Sequence, residues 1–410
     1  MKIAIMSDFH FGFGEKGDRV GESFENARQA IELALENGAE MILIPGDMFD
    51  EAIPPQDVLY KAIEILLIPK GIPSKNIDLK KIMRDGKEKE IYVSGIPVVA
   101  IPGTHEFRGK DHKNILELLE RADLLLNAHA STIIFEKGDE KIAVQGMGGV
   151  PEKKALEVLQ LLSPEPVPDA KNIFIFHQSL NEFLPFNDDM ISTLSLDDLP
   201  KGFELLIDGH LHWKTEQNLG ESKFIMPGST IITQSKKIES ENSKGIYIFD
   251  SKTDNLKFLS LPKQRKLFYH KIKFEGENSE QVLEMVKNAI CGDLKNDLDL
   301  PPIIRLKLTG KLAKGYSVGD IPFNEILAEV KGKAIFSISR EFAAEGFKKR
   351  ISELREMQRS KKSVAEMGLD LLEKNLKETD FKDAFDFRRF FELLAENELE
   401  KANELVLGKK

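Results

Sequence analysis

Aspartate and histidine recur in this sequence in five short groups, and each group closes an apolar run. Asp8-Phe9-His10 follows KIAIMS. Gly46-Asp47 follows MILIP, within PGDMFD. Gly103-Thr104-His105-Glu106 follows PVVAIP. His177 closes NIFIFH, and Gly209-His210-Leu211-His212 follows ELLID. Carboxylate and imidazole groups suit borderline divalent metals such as manganese, iron, zinc or cobalt. Two such ions about 3.5–4 Å apart can hold a phosphodiester for in-line attack. The pair needs a carboxylate between the ions, and Asp47 is the natural bridge. The glycines before Asp47, Thr104 and His210 let the backbone turn sharply, so that the next side chain points into a site. A single D-x-H or G-D says little, and a lone histidine is more often structural. Five of the eight histidines fall in these groups, always after a strand-like run, and that joint pattern points to one metal-dependent hydrolytic site.

Such a site needs strands that end side by side. Lys2–Ser7, Met41–Pro45, Pro97–Pro102, Lys141–Gly146, Asn172–His177, Glu204–Gly209 and Phe224–Gly228 read as buried strands, rich in Ile, Val and Phe and bounded by Gly, Pro or Asp. Glu22–Asn37 has helical spacing through Phe24, Ala27, Ile31, Ala34 and Leu35, with Gly38 as a stop. Lys110–Leu126 reads as a second helix. Alternation of strands and helices predicts a layered α/β core. In an open α/β sheet the loops at the carboxyl ends of the strands converge on one crevice.

Pro69–Ser94 is polar and broken by Gly and Pro, and reads as a surface insertion. Near Pro262 the character changes. KQRKLFYHKIKF is basic and alternates like a strand, then a helix (Ser279–Ala289), a strand (Ile303–Leu308), a second helix and a strand around Ala334–Ser339 follow. The expected division is a core over 1–262, a small α/β domain over 263–340, and a linker with a helical segment over 341–410. The last segment carries Phe381, Phe385, Phe387, Phe390, Phe391 and Leu394 close to helical spacing, preceded by a short helix around Val364–Leu376.

A 410-residue chain with 41 % hydrophobic residues can build more than one core. One cysteine, Cys291, excludes an internal disulfide and any cysteine cluster for zinc or iron–sulfur, which fits a reducing, intracellular setting. The N-terminus reads as a strand rather than a secretory leader, and no run approaches the ~18 apolar residues of a membrane span. A net charge of −10 weighs against nucleic-acid binding by the chain as a whole. Two bound metal ions would add about four positive charges at the site itself.

The five groups, in this order, resemble the calcineurin-like metallophosphoesterase superfamily. The order of domains is similar to the SbcD-type nucleases of DNA double-strand-break repair. The resemblance is clear over Met1–Pro262 and looser over the small α/β domain, which stands where that family has its DNA-capping domain. It implies a calcineurin-like core, a small α/β cap and a C-terminal helix–loop–helix. It implies two divalent ions per chain, manganese foremost. Asp8, His10 and His212 would hold the first and His177 and His210 the second, with Asp47 between. His105 would contact the scissile phosphate and assist the leaving oxygen, and Glu106 would orient it. Thr104 stands where the family has a metal-binding asparagine, so a hydroxyl replaces an amide oxygen in the second site. Asp50 stands where several relatives have histidine, and no metal is assigned to it.

The resemblance also implies partners: DNA, an SbcC-type SMC-like coiled-coil ATPase docking on Phe381, Phe385, Phe387, Phe390, Phe391 and Leu394, and a second copy of the chain forming a homodimer. The expected activity is exonuclease and endonuclease action on DNA in break repair. The basic stretch Lys263, Arg265, Lys266, Lys271 and Lys273 reads as a solvated strand face or a phosphate-contacting one. His112, His129 and His270 read as surface or structural residues. Phe9, Phe11 and Phe13 read as packing for the first loop. Two competing readings keep the core: a metallophosphatase or cyclic-nucleotide phosphodiesterase, and a DNA-end-binding scaffold with a degenerate metal site.

Overall fold

The computed structural model describes residues 1–73, 77, 79–84, 86–109, 112–184, 193–295, 298–313, 316, 321–323, 328, 331–342, 386–395 and 398–407. They fall into two compact units. The first comprises Met1–Ile272, Leu283–Lys307 and Pro322–Ser339. The second comprises Lys273–Val282, Leu308–Ile321 and Arg340–Lys410.

The first unit is built on two sheets. One contains β1 (Lys2–Ile5), β2 (Met41–Pro45), β5 (Val98–Ile101), β6 (Leu126–Asn127), β13 (Gly245–Asp250) and β14 (Asn255–Ser260), in the order β14-β13-β1-β2-β5-β6. The other contains β3 (Leu79–Arg84), β4 (Lys87–Glu90), β7 (Ser131–Lys137), β8 (Glu140–Met147), β9 (Lys171–Phe176), β10 (Leu205–Asp208), β11 (Thr215–Leu219) and β12 (Ser222–Met226), in the order β11-β12-β10-β9-β8-β7-β3-β4. Parallel pairing runs through β1, β2 and β5 in the first sheet and through β8, β9, β10 and β12 in the second.

Alternation along each strand assigns its two faces. Ile3, Ile5, Leu43, Val99 and Ile101 meet Phe135, Val144, Ile173, Ile175 and Ile207 between the sheets. Ala4, Ile42, Ile44 and Ala100 face the helices α1 (Glu22–Glu36), α2 (Gln56–Lys70) and α3 (Ile115–Arg121). Phe174, Phe176, Leu206 and Phe224 face Leu159, Phe203 and Trp213 on the far side. The chain is therefore layered α/β, and its parallel strands are buried on both faces. That is why MILIP, NIFIF and LLI read as unbroken apolar runs.

The seven expected strands and the first helix are present. The helix expected over Lys110–Leu126 is shorter, because Asn114 caps it by accepting from the Glu117 N–H at 3.0 Å. The expected insertion holds the hairpin β3–β4, which pairs with β7 and extends the second sheet. Beyond it, β15 (Leu267–Glu277), a helix over Ser279–Asp293, β16 (Ile303–Leu312) and β17 (Ile335–Phe342) follow, with a third sheet ordered β15-β16-β17. In the second unit Phe387–Ala395 and Leu399–Leu407 are helices, and Leu393 and Ala402 are buried. Phe381, Phe385, the Phe387 side chain and the helix expected around Val364–Leu376 lie outside the described residues.

One buried charge cluster ties first-unit segments distant in sequence. Glu22 accepts from Arg19 at 2.7 Å and from Arg265 at 2.7 Å. Burial opposes ionisation of Glu22, but the two guanidinium groups hold its carboxyl below the ordinary value of 4.5. Glu22→Ala would leave two arginines without their counter-ion, a loss of about 3–5 kcal/mol in a buried pair. Denaturant unfolding at pH 7 should show that loss. Because the folded carboxyl titrates low, the difference between variant and parent shrinks as pH falls below 4.5.

Candidate metal centre

Each expected ligand stands just past a strand end: Asp8 and His10 after β1, Asp47 after β2, His177 after β9, and His210 and His212 after β10. Asp8 (φ 53°), His10 (φ 48°), Asp47 (φ 46°) and His210 (φ 68°) adopt the left-handed region. That backbone is uncommon outside glycine, and here four such residues gather at one crevice. It is held by bonds between the two loops: Asp8 N–H donates to the Gly46 carbonyl at 3.2 Å and His10 N–H to the Asp47 carbonyl at 3.1 Å. Close approach explains two glycines. A Cβ on Gly103 would collide with the Asp47 carboxylate, and one on Gly209 with the Pro45 carbonyl and the His177 ring.

Three overlapping sets of donor atoms result, each within 4.8 Å: Asp8, His10 and His212; His10, Asp47 and His105; Asp47, His177 and His210. Asp47 is shared by two of them. His10 Nε2 and His212 Nε2 stand 3.2 Å apart, with Asp8 Oδ1 3.6 Å from the latter. Both oxygens of buried Asp8, and Nε2 of buried His177, have no hydrogen-bond partner. His177 Nε2 lies 3.1 Å from Asp47 Oδ2. Buried polar atoms without partners are rare. Here buried carboxylate oxygens and imidazole nitrogens converge on one crevice, the donor set that cations take, so the residues fit divalent metal ions.

The histidine tautomers agree. His177 Nδ1 faces the Pro45 carbonyl at 2.8 Å, and His10 Nδ1 faces Asp50 Oδ1 at 3.2 Å. Both partners only accept, so Nδ1 carries a hydrogen and Nε2 is the atom left facing the crevice. Asp50 thus orients the His10 ring. Its carbonyl also accepts from His105 Nδ1 at 2.7 Å, and the His105 main-chain N–H donates to Asp47 Oδ1 at 2.8 Å. The His105 ring, 43 % exposed, leaves Nε2 available. Thr104 donates its hydroxyl to Asp47 Oδ2 at 3.4 Å. Glu106 is fully buried and accepts from the Phe49 and Gly103 N–H groups, each at 2.7 Å. It clamps the two loops together, and the partner of the His105 ring is Asp50.

The charges are tightly linked. Burial works against ionisation of Asp47, but His177, His10 and His105 hold its carboxyl far below the carboxylate range. Burial opposes charge on His177, yet Asp47 and Asp8 push it up to about 10. Burial pushes Asp8 up to about 6 and, with His177, brings His210 down to about 4. Burial and the neighbouring Asp47 raise Glu106 to about 8. Two residues escaped the sequence reading. Lys244 is buried and donates to the His212 carbonyl at 2.7 Å, and Asp208 is buried and accepts from the Gln178 N–H at 3.1 Å. A lone lysine in ENSKG carries no sequence signal.

The other candidates stand elsewhere. Lys263, Lys266, Lys271 and Lys273 are exposed, and Lys273 pairs with Glu275 at 2.6 Å. Arg265 is buried against Glu22 and donates to the Pro301 carbonyl, so it offers no surface charge. His129 accepts the Gly148 N–H at 2.9 Å and His270 meets Asp293 at 2.6 Å. Phe9 and Phe11 are core residues.

Residues 1–214 match the calcineurin-like phosphoesterase family. Double-strand break repair protein MRE11 of Mus musculus is 26 % identical over 378 residues, covering 79 % of this chain and 52 % of the mouse protein. DNA double-strand break repair protein Mre11 of Methanococcus maripaludis is 24 % identical over 303 residues, covering 70 % and 73 %. That of Sulfolobus acidocaldarius is 24 % identical over 321 residues, covering 76 % and 75 %. The chain spans about half the length of the mouse relative.

In the metal-free protein the raised His177 contributes stability that is full below pH 6.5 and is lost as pH rises towards 10. A metal ion at Nε2 must displace that proton. Manganese binding should therefore tighten from pH 6 to pH 8 and release about one proton per chain from this residue. Calorimetry in buffers of different ionisation enthalpy measures both.

Proposed function

The chain belongs to the calcineurin-like phosphoesterase family, and from that premise we propose that it is a metal-dependent DNA nuclease of double-strand-break repair. The observation that carries the reading is the run of three overlapping donor sets, two of which share Asp47 and two His10. The names of the curated relatives supply the substrate class. Asp8, His10 and His212 would hold one divalent ion, His177 and His210 a second, and Asp47 both, with Thr104 beside it. Bound there, manganese or a similar ion supplies Lewis acidity towards a phosphoryl oxygen.

The chain's own groups do the rest. Asp47 accepts the His105 main-chain N–H and so fixes that loop against the bridge position. Asp50 holds the His105 ring through its carbonyl. With its Nδ1–H held there, the ring would need a second proton, on Nε2, and would pass that proton to the leaving oxygen of a bound phosphodiester as charge develops. Lys263, Lys266, Lys271 and Lys273 are exposed cations that would contact DNA phosphates without reading sequence.

Phe391 and Leu394 on Phe387–Ala395 are exposed apolar side chains suited to docking on an SMC-like coiled-coil ATPase. Tyr60 and Leu67 on α2 and Leu118 on α3 are exposed apolar residues suited to a homodimer contact. Among the described residues no helix is long and apolar enough to cross a membrane. Work on chromosomal DNA would place the protein inside the cell.

Linear DNA, a phosphoprotein and a cyclic nucleotide should be compared as substrates with manganese. DNA should be the one cleaved. His105→Ala should lower cleavage at least ~100-fold while keeping metal, as expected for loss of an acid. His177→Ala should lose both cleavage and one ion. Equal cleavage by His105→Ala, or a preference for the phosphoprotein, would overturn the assignment.

A further inference from the structure

His10 and His177 have their Nδ1 atoms fixed by groups that only accept. His212 differs, because its Nδ1 meets the Thr233 hydroxyl, which can donate or accept. Thr233 sits on Ser229–Gln234, after β12, and that segment is fastened on several sides. Asn26 Nδ2 donates to the Thr230 carbonyl at 2.9 Å and Arg19 to the Ile232 carbonyl at 2.5 Å. Gln234 N–H donates to Glu239 at 3.1 Å. Lys244 Nζ donates to Ser229 Oγ at 2.9 Å, to Glu239 at 3.0 Å and to the His212 carbonyl at 2.7 Å. Ile232 packs in an apolar cluster with Leu267, Ile303 and Ile335. The segment that carries Thr233 is thus held from α1, from the loop before it and from the buried lysine. That anchoring sets the backbone from which the hydroxyl meets His212 Nδ1.

We propose that Thr233 is a positioning residue for the first metal site: its hydroxyl accepts from His212 Nδ1–H, which leaves Nε2 as the ligand atom beside Asp8 and His10. The proposal rests on the two-metal reading of the crevice and adds a residue to it. With the other tautomer a hydrogen on His212 Nε2 would point into a space where His10 Nε2 is 3.2 Å away and Asp8 Oδ1 3.6 Å away. That hydrogen would exclude a cation. Partners that orient a ligand in this way are worth 10–100-fold in metal affinity.

The test uses the full chain stripped of metal, with Mn2+ alone as the probe, followed by calorimetry. Wild type, Thr233→Val, Thr233→Ser and Asp8→Asn are compared, and each apo protein is melted. Thr233→Val keeps the shape and removes the hydroxyl. It should bind manganese at least tenfold more weakly in the same event that Asp8→Asn weakens, and leave the other event unchanged. Thr233→Ser, which restores the acceptor, should return to within about threefold of wild type. The apo melting temperatures should agree. Thr233→Val binding like wild type overturns the proposal and leaves the two-metal reading intact. So does a serine variant as weak as valine, or a valine variant that melts early and loses both events. Wild type that binds no manganese overturns the two-metal reading and this proposal with it.

Discussion

The Asp47 carboxylate faces two sets of donors at once, and that electrostatic demand organises the loops around it. His177 comes within 3.1 Å of one oxygen, and the His105 main-chain N–H holds the other at 2.8 Å. The same residue passes its carbonyl to the His10 N–H, so the first and second loops share a backbone bond as well as a site. Negative charge concentrated so deep in a protein is unfavourable without compensation. In the metal-free chain a protonated His177 supplies it, pushed up to about 10 by Asp47 and Asp8 once burial is overcome. A bound cation would take over that role, which is why metal binding, protonation and stability are linked here.

The geometry is strained, and the sheets make the strain tolerable. Left-handed backbone at a residue other than glycine costs on the order of 1–3 kcal/mol. Asp8, His10, Asp47 and His210 all adopt it. Each follows a strand buried on both faces, so the last fixed residue before each turn cannot drift. Glu106 adds a cross-brace, because its two oxygens bind N–H groups from the second and third loops. Glycine at 103 and 209 is required by contact, since any side chain there would occupy the space of Asp47 or His177.

Much of this was legible in the sequence, for physical reasons. Parallel strands covered on both faces must be apolar throughout, so MILIP and NIFIF announce themselves. The Asp and His residues at their carboxyl ends break these apolar runs, and in three of the five groups a glycine stands in front, so the five groups stand out. The edge hairpin β3–β4 was read only as an insertion, because its exposed strand KEKE is charged as edge strands usually are. Gly86 at its turn was the available hairpin signal. Arg265 sits in a basic run that reads as a surface stripe, and only its distant partner Glu22 reveals that it is buried. Lys244 and Asp50 are invisible as supports, since they act through a carbonyl and an imidazole edge far away in the chain.

The central claim is that two cations share Asp47. Anomalous diffraction at the manganese edge, from crystals grown with manganese, tests it most directly. The account predicts two peaks about 3.5–4 Å apart, one against Asp8, His10 and His212 and the other against His177 and His210, with Asp47 touching both. An empty crevice, or a single ion that Asp47 does not touch, would contradict it.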